Sequence, residues 1–130
     1  SALTHDPVLG HITTFGGHPV SCAAGKAAFE VLLQGKYIGE VKRKEKLLIT
    51  QLIHPAIKSH QSFGLWMSLQ FASDPINQAI IHQCIQNGLI TDWFLFAPDS
   101  SRIAQPLIIT DEELKKMCEI VLKSINETIN

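Results

Sequence analysis

Arginine is scarce in this chain. Among 130 residues only Arg43 and Arg102 carry a guanidinium, and the formal net charge is −1 with histidine neutral. So little excess charge excludes a nucleic-acid or membrane-surface binder driven by a basic field. Cysteine is sparse as well. Cys22, Cys84 and Cys118 are odd in number and far apart, which argues against a disulfide framework and fits reduced, buried thiols in a cytoplasmic protein. No apolar stretch is long enough to span a bilayer, and no N-terminal stretch has the layout of a signal peptide. The six histidines show no metal spacing with cysteine or acid, and no Gly-x-Ser-x-Gly elbow or Cys/His pairing marks a hydrolase. Internal repeats and low-complexity tracts are missing too.

What is present is an ordinary globular composition, 45% hydrophobic, and a length that suits one domain. Residues 1–12 read as an irregular lead-in broken by Pro7 and Gly10. Pro19 suits a helix start because its missing N–H is an orphan there anyway. Residues 20–34 are rich in alanine and end at Gly35. A second helix is expected over residues 37–53, with Val41, Leu48 and Leu52 on one stripe, closed by His54-Pro55. Lys42, Arg43, Lys44, Glu45 and Lys46 read as its solvated face. Leu65, Met67, Leu69 and Phe71 alternate with Trp66, Ser68 and Gln70, the period of a strand. Ser73-Asp74-Pro75 opens a third helix carrying Ile76, Ile80, Ile81, Cys84 and Ile85, and Asn87-Gly88 closes it.

Residues 93–96 and 102–109 are two further strand candidates, with turn chemistry in Pro98-Asp99-Ser100-Ser101 between them. The last helix starts from a capping box, Thr110 with Glu113, and continues through Leu114, Met117, Cys118, Val121 and Ile125 at helical spacing. Its Lys115, Lys116 and Lys123 belong to the solvent side. The order implies an α+β fold, a small antiparallel sheet of about three to four strands with helices packed on one face. Trp66, Trp93, Phe94 and Phe96 are expected to fill the core between sheet and helices rather than to stack on a ligand.

Two stretches carry chemistry. Thr13-Thr14-Phe15-Gly16-Gly17-His18-Pro19 places two hydroxyls and two glycines ahead of a helix. Backbone amides and the positive helix end suit a phosphate there, and glycine allows close approach. The alternative is a plain turn whose threonines cap the helix. Arg102 sits in the apolar run Arg102-Ile103-Ala104-Gln105-Pro106-Leu107. Its planar fork suits a ligand carboxylate, and the alternative is a structural pair with a protein carboxylate.

In this order and spacing the chain resembles the C-terminal part of the class III aminotransferases, of the acetylornithine, ornithine and 4-aminobutyrate type. In that family Ser/Thr-Thr-Phe/Tyr-Gly-Gly-Asn/His-Pro precedes an alanine-rich helix. A later Arg-Ile/Phe-Ala-Pro-Pro-Leu precedes a Thr/Ser-Asp-Glu-Glu helix start. Here these read Thr13 to Pro19, Arg102 to Leu107, and Thr110-Asp111-Glu112-Glu113. The resemblance covers nearly the whole chain. It implies a dependence on pyridoxal 5'-phosphate (PLP) and transfer of an amino group from an amino donor to a 2-oxo acid, often 2-oxoglutarate. It implies that Arg102 grips the substrate α-carboxylate, that Thr13 borders the substrate side, and that Thr14 contacts the cofactor phosphate across a homodimer interface.

The resemblance also implies that the lysine forming a Schiff base with the cofactor lies in a large domain outside this chain. None of the lysines here substitutes for it, so the chain alone is expected to be an inactive piece of an enzyme. Residues 1–18 would be a remnant of the large domain, poorly ordered without it. Residues 19–35 would be an interdomain helix, and residues 36–130 the small α+β domain. Two departures stand out. The family's Arg-Gly-x-Gly stretch reads Gln61-Ser62-Phe63-Gly64, and its Ala-Pro-Pro-Leu reads Ala104-Gln105-Pro106-Leu107. His18 fills the family's Asn/His position. A stand-alone effector-binding or protein-interaction module, with Arg102 holding an amino acid and no catalysis, is the alternative function.

Overall fold

A computed structural model describes residues 13–129, in two compact units that divide between Lys36 and Tyr37. The expectations for residues 1–12 lie outside the described residues. The first unit contains a turn and α1 (Pro19–Gln34), with Pro19 in the first helical turn as its chemistry favours. Gly35 ends the helix, its N–H bonding Val31 O at 2.9 Å.

The second unit comprises α2 (Tyr37–Gln51), β1 (Ser59–Phe63), β2 (Trp66–Gln70), α3 (Asp74–Gln86), β3 (Asp92–Phe94), β4 (Ala97–Ala104) and α4 (Asp111–Ile129). The strands form one antiparallel sheet in the order β1-β2-β4-β3. This is the α+β architecture that the sequence predicts. Alternation along the central strands builds it. Met67 and Leu69 of β2 pair with Ile103 and Ser101 of β4, and all four are buried. They meet Leu48 of α2, Ile80 and Cys84 of α3, and Leu114, Cys118, Val121 and Ile125 of α4 in one core. The helices therefore cover one face, and the residues between, Trp66, Ser68, Arg102 and Ala104, belong to the other.

The core also holds polar groups. Asn77 is completely buried. Its amide donates to Pro98 O at 2.8 Å and its Oδ1 accepts the Ser101 hydroxyl at 2.5 Å. The link joins α3 to β4 on both sides of the strand's midpoint and satisfies the buried Asn77 and Ser101 side chains, which have no water to turn to. The capping box forms as expected. Thr110 N–H donates to Glu113 Oε2 at 2.8 Å, and Glu113 N–H donates to Thr110 Oγ1 at 3.2 Å.

Four expectations change. Residues 59–63 show no apolar alternation, yet form β1, because a strand at the rim needs to pair on one side only. The β3–β4 hairpin exists, but its turn falls at residues 95–96, residues 98–101 lie in β4, and the strand expected over 102–109 ends at Ala104. Pro98 is tolerated because the ladder shifts beside it, between Trp93 and Phe94, and β2 pairing begins only at Ser100. Trp66, Trp93, Phe94 and Phe96 do not fill the core. Trp66 and Phe94 stack on each other at 6.5 Å on the helix-free face, and Phe96 at the hairpin tip is almost fully exposed.

The charged face of α2 is the fourth correction, since Lys44 and Glu45 are both buried. Lys44 Nζ donates to Ile109 O and Leu107 O, at 2.5 and 3.4 Å. Glu45 Oε1 accepts the Ser62 hydroxyl and the Gly64 N–H at 2.8 and 2.9 Å, and Oε2 pairs with Lys42. Gly64, at φ 65°, turns β1 into β2 so close to α2 that a Cβ there would stand 2.6 Å from Val41 Cγ1. These side chains went unrecognised because the irregular segments they serve lie far away in sequence. Of the thiols, Cys84 and Cys118 are buried, and burial pushes Cys118 up to about 11, while Cys22 is exposed.

Two predictions follow from these buried groups. The Glu45 carboxyl is held below the ordinary glutamate value of 4.5, chiefly by the Ser62 hydroxyl, against the cost of burial. A lowered folded-state value means that its contribution is complete above that ordinary value and is lost as pH falls through the folded one. Glu45→Gln should lower the melting temperature at neutral pH and shrink the further drop on acidification. An acid-melting curve parallel to the parent's would contradict this. Asn77→Ala leaves the buried Ser101 hydroxyl without its acceptor and takes a donor from the Pro98 carbonyl. It should cost about 1–3 kcal/mol in denaturant unfolding.

Candidate functional site

The turn before α1 is shaped by its glycines. Gly16 N–H bonds Thr13 O at 3.2 Å, and His18 N–H bonds Phe15 O at 3.1 Å. Gly17 takes φ 77°, which side-chain-bearing residues rarely adopt. A Cβ on Gly16 would stand 2.1 Å from Thr13 Oγ1. His18 occupies the N-cap without a side-chain bond and packs edge-on against Phe15 at 6.5 Å. No acid lies in the first turn of α1. Thr13 and Thr14 are exposed, and neither caps the helix. Two exposed hydroxyls, a glycine left-handed turn and an uncapped helix start form a donor set that fits a phosphate. The alternative in which these threonines cap α1 is not what the structure contains.

Arg102 lies in β4, opposite Ser68 on one side and Asp92 on the other. Its Nε donates to Asp92 Oδ1 at 2.7 Å and its Nη2 to Asp92 Oδ2. The two side chains are 40% and 44% exposed. Next to this pair, the Thr91 hydroxyl donates to Arg102 O at 2.7 Å. The sequence pointed to Arg102 through its rarity and apolar neighbours, but did not single out Asp92. The only available signal was register. A hairpin turning at residues 95–96, rather than 98–101, places Asp92 directly across from Arg102.

The other arginine behaves differently. Arg43 Nε bonds Glu40 Oε2 at 2.7 Å, while Nη1 and Nη2 bond Asp111 at 2.7 and 2.9 Å. Both faces of its fork are filled by carboxylates of the fold. These bonds push Arg43 up and hold Asp111 below the usual carboxylate range. Among the described residues, Arg102 has a carboxylate on one edge alone. Its Nη1 has no hydrogen-bond partner among the described residues.

On the helix side of β4, Gln105 lines a cavity of about 630 Å³ with Thr91, Ile103, Glu113, Lys116 and Met117. Gln105 stands where the resembling family has proline. Its amide atoms are buried and unpartnered, a feature the sequence flagged only as a departure. Lys44 and the Asn77 link fix the segments on both sides of this stretch. Thr13 and Thr14 belong to the first unit and Arg102 to the second, so they form two separate candidate sites. Lys26 and Lys123 pair with glutamates one turn on, and Lys42 with Glu45. Lys115 and Lys116 are exposed on α4 as expected.

Known proteins place these features in a family. Residues 3–125 match the family described as aminotransferase class-III. The acetylornithine aminotransferase of Haemophilus ducreyi is 34% identical over 119 residues, covering 90% of this chain and 29% of its own length. The structure of acetylornithine aminotransferase from Elizabethkingia anophelis superimposes with a TM-score of 0.78 at 28% identity, over 90% of this chain and 32% of its own. An ornithine aminotransferase from Toxoplasma gondii, with partial occupancy of PLP at its active site, gives a TM-score of 0.77 at 26% identity over 92% of this chain. The chain spans roughly 30% of the length of these relatives. A match over almost every residue, together with an α+β unit of the same architecture, establishes that the chain belongs to the class III aminotransferase family.

Proposed function

We propose that this chain supplies the carboxylate anchor and one phosphate contact of a PLP-dependent transaminase. The donor would be acetylornithine, ornithine or another ω-amino compound, and the acceptor a 2-oxo acid such as 2-oxoglutarate. The names of the matched relatives support this over a module without catalysis. When bound, the cofactor would supply the electron sink for the amino-group transfer. Arg102 binds the substrate carboxylate and fixes its distance from the reacting carbon. Thr14 hydrogen-bonds the cofactor phosphate, in a site completed by a second subunit, and Thr13 borders the substrate. The boundary at Lys36 supports a division into a large-domain segment over 1–18, an interdomain helix over 19–35 and a small domain over 36–130.

The observation that carries this reading is the guanidinium of Arg102. It sits on the sheet face that the helices leave open, and it retains donors without a partner among the described residues. An amino-acid carboxylate matches those donors in charge and geometry. In the full-length enzyme, Arg102→Ala should raise KM for carboxylate substrates by about 10- to 100-fold, the loss of a charged hydrogen-bonded pair. An unchanged KM would refute the anchor. Thr14→Ala should weaken PLP retention about fivefold, measured by equilibrium dialysis of the cofactor. Equal retention would remove Thr14 from the phosphate site.

A further inference from the structure

A guanidinium offers two bidentate edges. One joins Nε to Nη2 and the other joins Nη1 to Nη2. In Arg43 both are occupied, by Glu40 and by Asp111. In Arg102 a single carboxylate, Asp92, takes the Nε–Nη2 edge. We infer that Asp92 is a positioning residue: by holding the Nε–Nη2 edge it aims the Nη1–Nη2 edge of Arg102 at a ligand carboxylate.

This rests on the reading of Arg102 as the substrate anchor, and it explains how an arginine already paired within its own fold still serves a ligand. Asp92 and Arg102 are direct cross-strand partners, so backbone pairing sets their separation. The Thr91 hydroxyl, bonded to Arg102 O, ties down the residue before Asp92 at the same rung. Both of Asp92's oxygens are engaged, which fixes the guanidinium plane as well as its position. An arginine side chain left free would lose rotamer entropy on every binding event. One clamped along a single edge has already lost it, so its second fork meets the ligand preorganised. Both side chains are close to half exposed, so the open edge is within a ligand's reach. An incoming carboxylate adds to the pair instead of displacing Asp92, because the unused donors lie on a different side of the guanidinium.

The test uses the full-length, cofactor-loaded enzyme. Calorimetry measures binding of pentanoate, an unreactive monocarboxylate, and steady-state kinetics measure KM and kcat for an amino-acid donor. Asp92→Ala should weaken pentanoate roughly tenfold, the size of losing one charge-assisted hydrogen-bond contribution to the orientation of Arg102. It should raise KM more than it lowers kcat. Asp92→Asn, which keeps the shape and one acceptor, should fall between the parent and the alanine variant, and it guards against a folding defect. In the Arg102→Ala background, Asp92→Ala should have no further effect on pentanoate, since Asp92 acts only through the guanidinium. If Arg102→Ala weakens pentanoate but both Asp92 variants bind it as tightly as the parent or tighter, Asp92 is a competitor and the inference falls while the anchor stands. If Arg102→Ala leaves pentanoate binding intact, the anchor itself falls.

Discussion

The period of a β-strand governs what this domain does. In β4, Ser101 and Ile103 turn toward the helices and are buried. The residue between them therefore cannot join the core, and Arg102 is delivered to the opposite face. A slip of one residue would bury a guanidinium among Leu48, Ile80 and Leu114 and expose Ile103. The energy that holds the arginine outward is thus the burial of its neighbours, not an interaction of its own. Asp92 inherits its place the same way, as the β3 residue whose rung of the ladder coincides with that of Arg102.

Register in such a small sheet needs more than apolar contact, and polar groups supply it. The Asn77 amide recognises one carbonyl and one hydroxyl of β4, which no shifted pairing would present. Helix α2 acts likewise on irregular backbone. Glu45 reads the β1–β2 turn, Lys44 the carbonyls after β4, and Arg43 the start of α4 through Asp111. These contacts are specific where hydrophobic packing is not, and they hold both ends of the segment carrying Arg102.

Much of this was legible from the sequence. The alternation of residues 65–71, the capping box at Thr110 and the proline opening of α1 are local signals, and local chemistry decides them. The charged stretch of α2 was misread because Lys44 and Glu45 answer to backbone more than fifteen residues away. Strand β1 carries no pattern of its own and exists because β2 offers it an edge. The hairpin was found but its turn misplaced, since Pro98 resembles turn chemistry while actually sitting beside a bulge. That shift hid Asp92, whose importance lies wholly in what it faces. Arg102, Thr13 and Thr14 stood out through rarity and motif.

The sheet's order leaves β1 and β3 at its two rims. The first is five residues long and mostly polar, and the second has three residues and an irregular ladder. Neither presents the long, flat, apolar margin on which a foreign strand adds easily. The helix-free face bearing Trp66 and Phe94 is a surface exposed to sticking, but growth by strand addition is blunted at both ends. A chain emerging during synthesis therefore offers cross-β polymerisation only short, poor outermost strands.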